Sequence, residues 1–219
     1  MVKGKRKPLE EIKATVSRYK RILITGCGGC VSVCLAGGQR EVEILSAELK
    51  SEFKKESAVK RIDGFTVERQ CNMQMLSELD DIINEYDAVL SMACGAGVQY
   101  TAERFPKVPV FPAINTMAIG VDRELGVYEE KCRACGECVL AYTGGICPVT
   151  SCAKGLFNGP CGGTNNGACE ISDDIPCAWN EIYNRLKEQN RLEDIIELQM
   201  PMQWKNQIKR IVVQDLYNK

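Results

Sequence analysis

The chain is 219 residues long, carries 28 Lys and Arg against 29 Asp and Glu for a net charge of −1, and contains thirteen cysteines but no histidine. The missing histidine excludes His-containing zinc sites, Ser–His and Cys–His nucleophiles and imidazole proton shuttles. The even charge balance gives no global signal for nucleic acid, no apolar run approaches the length of a membrane span, and the odd cysteine count excludes complete disulfide pairing within the chain.

Residues 1–20 are read as a basic N-terminal helix or solvated tail, since residues 1–21 hold eight Lys or Arg against two Glu. They lack the apolar stretch of a secretory signal, so the expected location is cytoplasmic, with no membrane insertion. In a reducing compartment, spaced cysteines are metal ligands or redox groups rather than disulfides.

Residues 21–128 read as an α/β domain. Short apolar runs at 21–26, 65–69, 87–93 and 108–113 predict strands. Between them, helical spacing places Val42, Ile44, Leu45, Leu49 and Phe53 on one face of 40–55, and Met75, Leu76, Leu79, Ile82 and Ile83 on one face of 73–86, with a shorter helix over 97–105. Strands alternating with helices predict an open parallel sheet of about four strands. Cys27, Cys71 and Cys94 each follow a strand, and the carboxyl ends of parallel strands share one edge, where ligands bind. Cys30 and Cys34, four residues apart, are expected on one face of the helix opening after "GCGG". These five candidate ligands are one more than a cubane needs. The glycines do not make a dinucleotide turn, because Val31 stands where the third glycine belongs. They instead allow close backbone approach and offer N–H groups to cluster sulfurs.

Residues 129–190 read as a cysteine-rich, loop-rich, ferredoxin-like iron–sulfur module. Cys132, Cys135 and Cys138 repeat at the spacing of a bacterial ferredoxin run, while Cys147 before Pro148 lies eight residues on instead of three. Cys152, Cys161, Cys169 and Cys177 follow, around a stretch (155–167) with five glycines and one proline that needs stapling. Cys177 is expected at the N-terminus of a helix with Trp179, Ile182, Tyr183 and Leu186 on one side. Sets of five, four and four thiols permit two [4Fe–4S] clusters with spare or zinc-bound thiols, or a third metal site. Residues 191–219 read as a helical tail in two pieces divided at Pro201, docking on its own domain or on a partner.

The blocks "GCGGCVSVCLAGGQREVEIL", "ERQC", "SMACGAGVQ", "KCRACGECVL", "GICPVTSCAKGLFNGPCGG" and "GACEISDDIPCAWNEIYNRL" occur in this order. Over residues from about 8 to 190, the chain resembles the methylenetetrahydrofolate reductase C-terminal domain family, more closely its free-standing iron–sulfur small-subunit form, the MetV type of acetogenic bacteria. The resemblance implies two [4Fe–4S] clusters, with zinc as an older reading of the last cysteine region. It also implies a partner, a flavin-containing TIM-barrel reductase subunit that reduces methylenetetrahydrofolate in the reductive acetyl-CoA pathway, with further redox subunits in some assemblies. The residues themselves show no flavin fingerprint, no acid/base pair and no folate pocket. The expected role is therefore electron transfer to or from a catalytic partner. The rival is a structural scaffold whose zinc or inert cluster stabilises that partner.

Overall fold

The computed structural model describes residues 1–204, 211–214 and 216, and the chain divides into two units, Met1–Glu129 and Glu130–Lys219. The basic N-terminus is not a solvated tail. It forms strand β1 (Val2–Arg6), with Lys3 buried, and helix α1 (Leu9–Val16), which buries Ile12 and Val16. The cause is long-range: β1 finds an antiparallel partner more than a hundred residues away, at Ile114–Ile119.

The sheet at the centre of the first unit is built from β2 (Arg21–Cys27), β3 (Arg61–Val67), β4 (Ala88–Ser91) and β5 (Val110–Pro112). Its order is β3-β2-β4-β5 and all three pairings are parallel. Between these strands come α2 (Cys30–Val33), α3 (Gln39–Lys55), α4 (Met73–Leu76) and α5 (Gly95–Arg104). The predicted helix over 73–86 breaks after α4 into two 3-10 turns, Ser77–Leu79 and Ile83–Glu85, which still bury Leu76, Leu79 and Ile83.

Alternation along β2 sorts its side chains to two faces. Ile22 and Ile24 pack with Val42, Leu45, Leu49 and Phe53 of α3 and with Ile12 and Val16 of α1, whereas Leu23 packs with Leu76, Leu79, Ile83 and Val89. The sheet is thus covered on both sides, which is why its strands read as near-continuous apolar runs. Full burial of each such aliphatic side chain contributes about 1.5–3 kcal/mol.

After β5 the chain enters a feature that the sequence reading did not contain. Strands β6 (Ile114–Glu124) and β7 (Val127–Cys132) join β1 in a second, three-stranded sheet of order β1-β6-β7. The core-facing positions Ile114, Ala118 and Gly120 alternate with exposed Met117, Ile119 and Val121.

The second unit has less regular structure: α6 (Pro148–Ser151), a small antiparallel sheet of β8 (Thr164–Asn165), β9 (Ala168–Cys169) and β10 (Ser172–Pro176), and α7 (Ala178–Glu188). Its apolar cluster is Ile146, Trp179, Ile182 and Leu186. Pro176 ends β10, and Tyr183, expected on the same side as Trp179, is turned to solvent. Of the expected helical tail, residues 191–204 form a 3-10 turn at Leu192–Ile195 and no further helix, and most of the second piece lies outside the described residues. The tail folds back on its own unit, where the Asn158 side chain exchanges two hydrogen bonds with the Gln199 backbone and Gln203 N–H donates to Glu137. Ile208 lies outside the described residues, and Ile211, Val212 and Leu216 are exposed. Among the described residues no helix is long and apolar enough to cross a membrane.

Candidate functional site

In a parallel sheet of order β3-β2-β4-β5, successive connections leave β2 in opposite directions. The carboxyl ends of β2 and β4 therefore flank the switch point, where such sheets bind ligands. Cys27 is the last residue of β2, Cys94 is the N-cap of α5 just beyond β4, and Cys71 follows β3. The proximity of the other two is felt at Cys27. Burial pushes its thiol up from the ordinary value, backbone N–H groups of Gln70 and Gly29 pull it down, and the thiols of Cys71 and Cys94 raise it again. Cys27 thus senses two thiols distant in sequence at the strand ends.

The fourth and fifth candidates part company. The helix after "GCGG" is only four residues long, so Cys30 and Cys34 do not share a face as expected. Cys30 is exposed at the first helical position, behind the Gly29 N-cap. Cys34 lies beyond the helix, buried, where its sulfur accepts from Gly4 N–H at 3.3 Å and lies 3.6 Å from the Val31 carbonyl oxygen. This thiol belongs to the packing between α2 and β1.

Two devices hold the site together. Gly37 passes so close to β4 that a Cβ there would lie 1.9 Å from the Met92 carbonyl oxygen, while its own carbonyl accepts from Cys27 N–H at 2.8 Å. The second is Gln70, fully buried beside Cys71. Its amide donates to the carbonyls of Thr25 and Gly26 at 2.9 Å each, and its Oε1 accepts from Ser91 Oγ at 2.6 Å and Thr101 Oγ1 at 3.2 Å. One side chain thereby stitches the end of β2, the end of β4 and α5 together beneath the three cysteines. Sequence reasoning assigned Gln70 no role. The only available signal was a neutral polar residue between two strand-end features.

In the second unit, Cys132 ends β7, and its sulfur accepts from Ala134 N–H at 3.3 Å. Ala134 and Gly136 both adopt positive φ, 51° and 86°, and this bends the Cys132–Cys138 segment tightly. Cys135 is half-buried with its thiol 3.6 Å from the Glu137 carbonyl oxygen, and Cys138 is exposed. Cys147 is the N-cap of α6, and the Thr150 hydroxyl one turn on reaches the carbonyls of Lys131 (3.4 Å) and Cys147 (3.5 Å), which sets α6 beside the approach to Cys132. Cys152 and Cys177 pack against the Trp179 cluster, and Cys177 is the N-cap of α7, as expected. A helix N-terminus favours thiolate over thiol.

Cys169 is buried in β9. Cys161 is exposed, and its thiol is pulled below the ordinary value by Gly163 N–H (3.4 Å) and then by the Lys154 ammonium (3.5 Å), which also pairs with Glu170.

All thirteen cysteines are free of disulfides. Among the described residues, no three Cys, Asp or Glu side chains are grouped so as to hold a single metal ion. A mononuclear site needs its sulfurs about 2.3 Å from one point. A cubane instead presents separate iron atoms to separate thiolates.

Residues 111–205 match the family model described as "Methylene-tetrahydrofolate reductase C terminal". The match takes in the end of β5, the β6–β7 ribbon and most of the second unit, and leaves out Cys27, Cys71 and Cys94. It links the chain to methylenetetrahydrofolate reductase. No curated protein matches the chain, and no solved structure does.

Proposed function

We propose that the chain is an iron–sulfur electron-transfer subunit of a methylenetetrahydrofolate reductase complex. It exchanges electrons with a flavin-bearing catalytic subunit and holds two [4Fe–4S] clusters. The observation that carries the reading is the convergence of Cys27, Cys71 and Cys94 at the carboxyl ends of three neighbouring strands. The family match over 111–205 supports the reductase context.

In the first unit the four ligands are Cys27, Cys30, Cys71 and Cys94, with Cys34 left as a packing thiol. In the second, Cys132, Cys135 and Cys138 supply three ligands of the other cluster. Cys147 is the fourth, supported by the Thr150 hydroxyl that spans Lys131 and Cys147. Cys152, Cys161, Cys169 and Cys177 form a further thiol set for zinc or a third cluster. When bound, the clusters supply one-electron chemistry, which the flavin converts to hydride delivery. The chain's own contribution is ligation, N–H groups directed at sulfur, and burial.

Iron, acid-labile sulfide and zinc per chain, measured on protein purified without oxygen, test this reading. The expected result is about eight irons with matching sulfide. Zinc alone would remove the electron-transfer role and leave a structural scaffold. Clusters that the flavin partner neither reduces nor oxidises would do the same.

A further inference from the structure

Lys3 is 3% exposed, yet among the described residues its ammonium has no hydrogen-bond partner. Its one close electrostatic neighbour is the ring of Tyr128, 4.0 Å from Nζ to the centroid. An ammonium withdrawn from water without a counter-charge is costly, and an aromatic face replaces only a small part of the lost hydration. The position therefore suits an anion that the described side chains do not supply.

The contacts of the residues beside Lys3 lead toward the strand-end cysteines. The neighbouring residue, Gly4, bonds through its N–H to Cys34 and runs so close to α2, the helix that begins at Cys30, that a Cβ added there would lie 3.4 Å from Val31. Across the ribbon, Gly4 pairs with Thr116, whose hydroxyl accepts from Gly95 N–H at 2.8 Å, directly after Cys94. Tyr128 and Cys94 both pack on the apolar cluster that contains Cys27 and Cys34. The β1–β6–β7 ribbon thus spans from the Cys30 helix to the Cys94 cap, with Lys3 and Tyr128 on its core-facing side.

We propose that Lys3 is the counter-charge of the strand-end cluster, a positioning residue that sets the potential of the group held by Cys27, Cys30, Cys71 and Cys94. This rests on the cluster reading above. Four thiolates outweigh the positive iron–sulfide core, so the assembly is a net anion, and net charge is one determinant of its potential. Reduction adds one electron and one further negative charge. A fixed cation nearby stabilises the reduced form more than the oxidised form and raises the potential. Tyr128 keeps the ammonium in place while adding no competing negative charge.

The test is a redox titration followed by electron paramagnetic resonance on anaerobically purified full-length protein, comparing wild type, Lys3→Met and Lys3→Arg. Met keeps the packing of the stem and removes the charge, and Arg keeps the charge. The expected result is unchanged iron and sulfide in all three, with one cluster shifted to more negative potential in Lys3→Met and returned toward wild type in Lys3→Arg. An iron-replete Lys3→Met protein with wild-type potentials overturns the proposal. Loss of iron from both variants also overturns it, because packing rather than charge would then be the role of Lys3. Loss from Lys3→Met alone, with Lys3→Arg replete, supports it. The parent reading fails separately: wild-type protein that holds no iron and sulfide removes the cluster itself. An anionic small molecule as the true counter-ion would appear as a wild-type cluster indifferent to the Lys3 charge.

Discussion

The Ser91 hydroxyl donates to Oε1 of Gln70 at 2.6 Å, joining the end of β4 to the residue that precedes Cys71. Gln70 also accepts from Thr101 and donates to two carbonyls of β2, so the relative placement of three candidate ligands passes through one amide. Gln70→Leu keeps a similar volume and leaves these partners unsatisfied. We expect a loss of about 3 kcal/mol in urea unfolding of the metal-free protein. A variant as stable as wild type would show that the network only accompanies the strand ends and does not hold them.

Cys34 and Cys71 should behave oppositely. Cys34→Ala leaves a small buried gap costing about 1 kcal/mol, with full iron retained. Cys71→Ala should lower the iron content by about four atoms per chain, the content of one cubane. Iron analysis of the two variants side by side decides the ligand set, and iron lost on replacing Cys34 would return that thiol to it.

Gly37→Ala should be severe for its size. The added methyl would meet the Met92 carbonyl, backbone that cannot rotate away. We expect a loss of about 2–3 kcal/mol by denaturant titration. A neutral result would mean that the turn after α2 shifts freely relative to β4.

The Asp87 carboxylate is held below its usual range by the Arg21 side chain and then by the Arg21 backbone N–H. A carboxylate with a depressed folded value contributes stability above the unfolded pKa of about 3.9, and loses it as pH falls through the folded value. Asp87→Asn should therefore flatten the fall in stability below about pH 4 while costing little of its pH sensitivity above pH 5. Urea midpoints at neutral and acid pH, compared with wild type, test this, and parallel curves would remove Asp87 from the acid transition.

In metal-free protein Cys161 should be alkylated faster than Cys27, because one thiol is exposed and lowered while the other is buried and raised. Lys154→Met should slow Cys161 without touching Cys27. Peptide-resolved mass spectrometry after a short iodoacetamide pulse reads both rates. Equal rates at the two sites would contradict the environments described for them.

Periodicity and spacing by themselves determined the α/β sheet, the long helix α3, the placing of Cys27, Cys71 and Cys94 after strands, and the Cys177 cap of α7. Each of these is local. A strand buried on both faces must be apolar along its length, and a helix N-terminus or strand end is marked by the residues beside it. The family context was legible in the blocks from "KCRACGECVL" onward, where the matched region lies. The 73–86 segment misled because Leu76, Leu79 and Ile83 are buried at helical spacing, a spacing that successive 3-10 turns also satisfy. Only the tertiary structure decided that residues 2–6 are a strand, that Cys34 is buried against that strand while Cys30 is exposed, and that Lys3 is buried. All three depend on β1 pairing with β6 across most of the first unit. Such a pairing is selected by the free energy of the assembled core, to which no local window of sequence has access.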